Sequence, residues 1–174
     1  MKMKNCRGYA TIDVILFTGI MLFLIFPLFS FTLEKYVYQN SIQIIKDTLD
    51  MTAIATYESL DANSTAKDNI QFDRTELINI YKKYLAQNLK LNDDLVPEDG
   101  SIAKDTVRIE QLELFTSGFP DICPEGAEIN KLSIHVLVVI PLKPNLYREV
   151  LLDALGKDYV ELKLHHDTEL PVNN

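Results

Sequence analysis

The side chains best suited to chemistry lie near the end of this chain, in His165-His166-Asp167. All three are potential metal ligands. Neighbouring residues of a strand point to opposite faces of its sheet, so His165 and His166 cannot converge on one ion while the strand continues. We therefore expect a solvated strand end at this position, and the sequence predicts no metal site there.

Other candidate side chains give weaker signals. His135 lies on one face of the strongest predicted strand, and we expect it to be packed or half-buried. The acidic pairs Asp93-Asp94 and Glu98-Asp99 lack the spacing of an EF-hand calcium loop. The sequence also lacks P-loop, Rossmann, HExxH, GxSxG and kinase motifs. It predicts no catalytic residues, no metal ligands, no cofactor and a function other than that of an enzyme.

The two cysteines do not form a disulfide framework. Cys6 precedes a long apolar segment and Cys123 lies well after it, so a membrane would separate the two thiols. We expect Cys123 to be a small buried apolar side chain, with a disulfide to a second molecule as the alternative. The fold must then depend on a hydrophobic core.

The elements that position these side chains begin with twenty consecutive uncharged residues, Val14 to Leu33. A helix of that length is ~30 Å long, which matches the hydrocarbon core of a bilayer. Lys2, Lys4 and Arg7 precede it, and positive charge before a span keeps the N-terminus in the cytoplasm. The apolar run is longer than the core of a typical secretory signal and has no small-residue cleavage site after it, so a cleaved signal is the lesser alternative.

The charge of the chain narrows the choice of partners. The net charge is −8, and the three basic residues before the span leave the remainder more acidic still. Nucleic acid and anionic lipid head groups are recognised by basic patches. The composition therefore argues against both, and an acidic, solvated surface is expected.

The helical pattern continues beyond the membrane. Apolar residues recur at spacings of three and four from Tyr38 to Leu60, which predicts an amphipathic helix continuous with the span. Inside the span, Pro27 removes one helical hydrogen bond and should kink or loosen the helix locally. A polar linker over residues 61–69 is expected next.

A second helix is predicted from Asp73, which forms a capping-box-like start with Glu76, to about Leu91. The spacing of apolar residues then changes to the two-residue period of strands.

The predicted strands make up the second half of the chain. The first strand runs from Val107 to Leu114 with a bulge near Gln111, and a loop covers residues 120–126. Residues 132–140 are apolar on both faces and predict a central strand that ends at Pro141. A short helix at 145–155 and a last strand at 160–165 complete an α+β fold, with a small antiparallel sheet of three or more strands packed on the long helix.

The N-terminus resembles the leader of type IV pilins and, more narrowly, that of the TadE-like pseudopilins of tight-adherence pilus systems. The residues that carry the resemblance are Arg7-Gly8, Tyr9 to Asp13 and the apolar span, roughly the first third of the chain. In that family a prepilin-type peptidase cuts after the glycine and leaves an acid five residues into the mature chain. The resemblance implies processing between Gly8 and Tyr9, with Asp13 where the family usually has glutamate.

Two residues of the span are expected to act in subunit packing. A carboxylate at the edge of a bilayer needs a partner, and the resemblance implies that Asp13 pairs with the Tyr9 ammonium of a neighbouring subunit. The alternative is that Asp13 lies at the head-group level as a helix N-terminal acid, which the helix dipole favours. Pro27, which alters the helix locally, is the second expected packing residue.

The expected organisation is a leader-like basic segment (1–8), a transmembrane helix (9–33), its amphipathic continuation (34–60) and an extracytoplasmic α+β head (61–174). The expected function is that of a single-pass pseudopilin-like protein in assembly of an envelope pilus or secretion structure. Its partners would be membrane lipid, a prepilin-type peptidase and other pilin-like subunits, and not nucleic acid. The alternatives are an unprocessed membrane-anchored binding module and, less favoured, a tethered metal hydrolase.

Overall fold

The computed structural model describes the backbone of residues 7–65, 74–144, 149 and 152–170, and in the first of these ranges the side chains of residues 11–60. The chain divides into two compact units, Met1–Asn40 and Ser41–Asn174. Within the described residues the fold is α+β, as predicted: a long N-terminal helix, a second helix and a three-stranded antiparallel sheet.

The long helix changes its hydrogen-bond pattern once. Helix α1 (Arg7–Ile20) is followed by a π-helical turn, Met21–Ile25, and then by helix α2 (Phe26–Thr65). The N–H of Phe26 donates to the carbonyl of Met21, five residues back. Pro27 has no N–H to donate to the preceding turn of the helix. The π-helical turn therefore lies directly before the residue that interrupts the regular helical hydrogen bonds. The disturbance predicted at Pro27 takes this form.

The apolar part of this helix has its side chains exposed. Large apolar residues from Ile12 to Leu33 are about half exposed or more. The helix that continues from Thr11 to Leu60 is, among the described residues, the one that is long and apolar enough to cross a membrane. Its length and composition support the prediction of one span near the N-terminus.

The C-terminal unit contains the second half of α2, helix α3 (Arg74–Leu89) and the strands. The described strands are β1 (Arg108–Phe115), β2 (Asp121–Ile122), β3 (Glu128–Ile129), β4 (Ser133–Leu142) and β5 (Val160–Glu169). The sheet has the order β1-β4-β5, and β2 pairs with β3 in a separate small hairpin. Strand β4 is central, as predicted, and every one of its residues is buried.

The apolar stripe of α2 packs into the core from Ile45 onward. The predicted stripe residues that are buried are Ile45, Leu49, Thr52, Thr56 and Leu60. The two threonine hydroxyls are satisfied, because Thr52 donates to the Thr48 carbonyl at 2.8 Å and Thr56 donates to the Thr52 carbonyl at 2.7 Å. Asn88 of α3 also donates to the Thr52 hydroxyl at 2.9 Å, which joins the two helices.

The predicted bulge in β1 is confirmed. Ile109 pairs with Val138, but Gln111 pairs with Leu137, so Glu110 is the extra residue. The bulge changes the phase of the strand, and Gln111 therefore shares a face of the sheet with Leu137. This shift brings the Gln111 side chain to the face of the sheet where His135 and His165 lie.

Several predicted boundaries were wrong. Helix α2 continues to Thr65, into the predicted linker, and α3 ends at Leu89. The predicted cap residue Asp73 and the rest of the linker lie outside the described residues. The segment predicted as a loop contains β2, which pairs with β3 through Asp121↔Ile129 and Ile122↔Glu128. Most of the predicted helix at 145–155 also lies outside the described residues.

Strand β4 passes through Pro141 instead of ending before it. The carbonyl of Pro141 accepts a hydrogen bond from the N–H of Lys104 on the side of β1. The pairing between β4 and β1 ends at Val139 and Arg108, before Pro141 is reached. The nitrogen of Pro141 faces this same side, so the missing N–H breaks no ladder bond and the proline is tolerated.

Tyr81 provides a test of the packing between α3 and the core. Its side chain is fully buried, and its hydroxyl has no hydrogen-bond partner among the described residues. Burial and, to a smaller extent, the charge of Asp50 raise the pKa of Tyr81 far above its usual value. A buried hydroxyl without a partner costs about 1–3 kcal/mol.

We therefore expect Tyr81→Phe to raise the free energy of unfolding by about 1 kcal/mol, because the ring is kept and the unpaired hydroxyl removed. Urea denaturation of the detergent-solubilised full chain measures this. Tyr84→Phe, at a half-buried position of the same helix, should change little. A Tyr81→Phe protein less stable than wild type would mean that the hydroxyl has a stabilising partner.

Candidate metal centre

Strand β5 carries polar side chains on both of its faces. It extends to Glu169, four residues beyond the predicted end of the last strand, and His165 and His166 are half-buried rather than solvated. Their side chains point to opposite faces, as predicted. His165 shares its face with Asp167, and His166 shares the other face with Thr168.

The face with His166 is tied to helix α2. Asp50 accepts hydrogen bonds on one carboxylate oxygen, Oδ1, from His166 Nε2 at 2.9 Å and from the Thr168 hydroxyl at 2.7 Å. A half-buried carboxylate with two donors is well satisfied. This contact holds the helix against the last strand, and no local pattern in the sequence predicts it.

The opposite face gathers four potential metal ligands. Cys123, His135, His165 and Asp167 each offer one ligand atom, and these atoms all lie within 4.8 Å of one another. Cys123 and His135 are buried, and His165 and Asp167 are half-buried. Cys123 is a free thiol. His135 is packed, as predicted, but the convergence of the four side chains contradicts the prediction that His165 lies at a solvated strand end.

Asp167 joins the two histidines. Its Oδ1 lies 2.7 Å from His135 Nδ1, and its Oδ2 lies 2.7 Å from His165 Nε2. The strand pairing explains the contact, because His135 of β4 is directly opposite Asp167 of β5. His165 is two residues before Asp167 on β5 and therefore lies on the same face of the sheet. The centroids of the His135 and His165 rings are 5.0 Å apart.

The small hairpin supplies the fourth residue. Cys123 follows β2, and its Sγ lies 3.5 Å from His165 Nε2. The turn is fixed by backbone bonds between Cys123 and Ala127 and between Gly126 and Cys123. The N–H of Ala127 also points at Cys123 Sγ, at 3.3 Å. Cysteine binds metals as the thiolate, and a metal-bound sulfur can keep a hydrogen bond of this kind.

The arrangement of Cys123, His165 and Asp167 is not that of a catalytic triad. In a triad the nucleophile and the acid bond to different ring nitrogens of the histidine. Here Cys123 Sγ and Asp167 Oδ2 both approach the same nitrogen, Nε2 of His165. Several donors that converge on one point are instead characteristic of a metal site.

Residues of β1 support the cluster from behind. Gln111 Oε1 lies 3.3 Å from His135 Nε2, the ring nitrogen that points away from Asp167. The Phe115 ring meets the His135 ring edge-on, with 6.4 Å between centroids. These contacts fix the orientation of the imidazole, as the outer partners of metal-bound histidines do.

Exposed ion pairs lie on the strands around the cluster. A hydrogen bond from Lys163 to Glu110 raises the pKa of Lys163, and one from Arg108 to Glu161 raises the pKa of Arg108. Both pairs are well exposed, so solvent screening keeps their contribution to stability small.

The residues predicted to act in processing and packing lie in the N-terminal unit. Gly8 and Tyr9 are in the first turns of α1, where the side chains are not described. Asp13 is exposed on α1, and Pro27 is half-buried near the start of α2. The cluster, in contrast, belongs wholly to the C-terminal unit.

No protein-family model, curated protein or solved structure matches this chain. Its function must therefore be inferred from its own residues.

Proposed function

We propose that this protein is a single-pass membrane pseudopilin-like subunit that takes part in assembly of an envelope pilus or secretion structure. The observation that carries the proposal is the apolar helix from Thr11, which is long enough to span a bilayer and has its side chains exposed. A soluble protein would cover such a surface. A membrane, or neighbouring helices within it, is the natural cover.

The distribution of charge supports an orientation with the N-terminus in the cytoplasm. Lys2, Lys4 and Arg7 precede the span, and the remainder of the chain is acidic. The C-terminal unit would then be extracytoplasmic. In that location it would meet other pilin-like subunits, and its negative charge disfavours nucleic acid as a partner.

The N-terminal residues support assembly rather than anchoring alone. Arg7-Gly8 precedes the span, and Asp13 is an exposed acid one turn after Tyr9 on α1. Cleavage after Gly8 by a prepilin-type peptidase would create an ammonium at Tyr9. That ammonium, on a neighbouring subunit, would neutralise Asp13 within the membrane. Side-by-side packing of apolar helices, modulated by Pro27, would follow.

Cleavage after Gly8 is the decisive expected result. The mature chain isolated from membranes of the native host should begin at Tyr9 and lack the leader-like segment, including Cys6. Intact-mass measurement of the detergent-extracted protein detects this directly. Gly8→Leu should block the cut and leave the full-length mass, whereas Lys4→Gln should leave the cut in place.

Retention of residues 1–8 in cells that contain an active prepilin-type peptidase would overturn the proposal. An unprocessed but membrane-bound chain would instead indicate an anchored extracytoplasmic binding module. A protein found entirely in the soluble fraction would contradict both functions, since both require the span.

A further inference from the structure

We propose that Cys123, His135, His165 and Asp167 bind one Zn²⁺ ion and form a structural metal site. These residues come from three places in the C-terminal unit: the turn after β2, the central strand β4 and the edge strand β5. The proposal is independent of processing and assembly, because it concerns the C-terminal unit alone.

The spacing of the donor atoms fits a tetrahedral ion. Zinc bonds of ~2.0–2.3 Å place neighbouring tetrahedral ligands roughly 3.3–3.8 Å apart. Cys123 Sγ and His165 Nε2 are already 3.5 Å apart, and all four donors lie within 4.8 Å of one another. At present the Asp167 carboxylate lies 2.7 Å from His135 Nδ1 and 2.7 Å from His165 Nε2. When the ion replaces these two hydrogen bonds, both distances must lengthen slightly.

The charges of the four ligands also fit. A thiolate from Cys123, a carboxylate from Asp167 and two neutral imidazoles balance the charge of a divalent cation. Burial of a net charge is costly, and a neutral cluster avoids that cost. Sulfur and imidazole ligands favour zinc over calcium or magnesium, which prefer oxygen.

Outer contacts for two of the ligands are already in place. His135 would bind through Nδ1, and its Nε2–H would donate to Gln111 Oε1, now 3.3 Å away. Cys123 Sγ accepts a hydrogen bond from the N–H of Ala127. Metal-bound histidines commonly make such a second bond to an oxygen, and Gln111 is therefore a positioning residue.

A site with four protein ligands is closed. Catalytic zinc keeps one position for water or substrate, whereas structural zinc is saturated by side chains. The proposed ion would therefore hold the β2–β3 hairpin against β4 and β5. This chain has no intramolecular disulfide to do so among its described residues, and Cys123 would act as a ligand instead.

Metal binding by the full-length protein in detergent tests the proposal. After removal of metal with a chelator, the wild-type protein should take up one Zn²⁺ per chain, and its unfolding temperature should rise. Co²⁺ in place of zinc should give a thiolate-to-metal charge-transfer band and the intense visible bands of a tetrahedral site. These spectra report on the ligands without any assay of activity.

Two substitutions should abolish the site. Cys123→Ser should remove the charge-transfer band, and His165→Gln should remove high-affinity Zn²⁺ binding. His166→Gln is the matched control, because this neighbouring side chain lies on the opposite face and bonds to Asp50. It should bind zinc with unchanged stoichiometry. Gln111→Ala should bind zinc about 10–100-fold more weakly, as expected when an outer partner is lost.

The proposal is wrong if the chelated, folded wild-type protein binds no stoichiometric Zn²⁺ or Co²⁺. It is also wrong if Cys123→Ser and His165→Gln bind metal as tightly as wild type does. Circular dichroism of each variant verifies the fold. If a variant does not fold, the cobalt spectrum of a Cys6→Ala protein still decides the outcome, since Cys123 is then the one thiol left in the sequence.

Discussion

Replacement of Leu49 by aspartate should unfold the C-terminal unit. Leu49 is fully buried on the face of α2 that packs into the core. An unpaired buried charge costs about 3–5 kcal/mol, and the total stability of a domain is about 5–15 kcal/mol. The loss of the leucine side chain adds about 2–5 kcal/mol, as for leucine-to-alanine changes in cores. Little or no net stability should remain.

Thermal unfolding of the full chain in detergent, followed by circular dichroism, measures this effect. Met51→Asp is the matched control, because Met51 lies two residues away on the same helix with 65% of its surface exposed. It should unfold close to the wild-type temperature. Ile45→Asp, also at a fully buried position, should behave as Leu49→Asp does. A cooperative transition within a few degrees of wild type in Leu49→Asp would show that this helical face is not core.

Replacement of Asp13 by asparagine should remove most assembled structures while leaving the protein in the membrane. If Asp13 pairs with the Tyr9 ammonium of a neighbouring subunit, asparagine keeps the size of the side chain but loses the charge. A hydrogen bond between charged groups contributes about 1.5–3 kcal/mol, and this contact would repeat at every subunit. Anchoring depends on the apolar span and should not change.

Counts of assembled structures in the native host, together with the amount of membrane-bound monomer, test this prediction. Asp13→Glu is the control and should assemble, since it preserves the charge and is the acid usual in the TadE-like pseudopilins that the N-terminus resembles. Normal assembly by Asp13→Asn would favour the other reading, in which Asp13 is an acid at the head-group level stabilised by the helix dipole.

The sequence predicted the main elements because their signals are local. Residues 132–140 are apolar on both faces and the strand proved central, and the change of phase in β1 predicted a bulge near Gln111, next to the extra residue Glu110. The apolar stripe of α2, which is buried from Ile45 onward, was predicted from the helical spacing of its residues. These patterns arise within one element, so a single sequence contains them.

The cluster was missed because it depends on the pairing of distant strands. The adjacent residues His165 and His166 point to opposite faces of the sheet, whereas His165 and Asp167, two residues apart, lie on one face and are in contact. Their convergence with His135 requires the register between β4 and β5. Cys123 joins them only through the small β2–β3 hairpin, whose strands are too short to give a periodic signal.

The polar residues of β5 also protect the strand against misalignment. Leu162, Leu164 and Thr168 are buried on the face toward α2, where Thr168 bonds to Asp50. A slip of β5 by one residue would turn its leucines out to solvent and bring Asp167 or Glu169 to the position of Thr168. Either acid would meet the carboxylate of Asp50. Each one-residue slip is thus penalised by like-charge repulsion as well as by lost burial, so the strand selects its own alignment during folding.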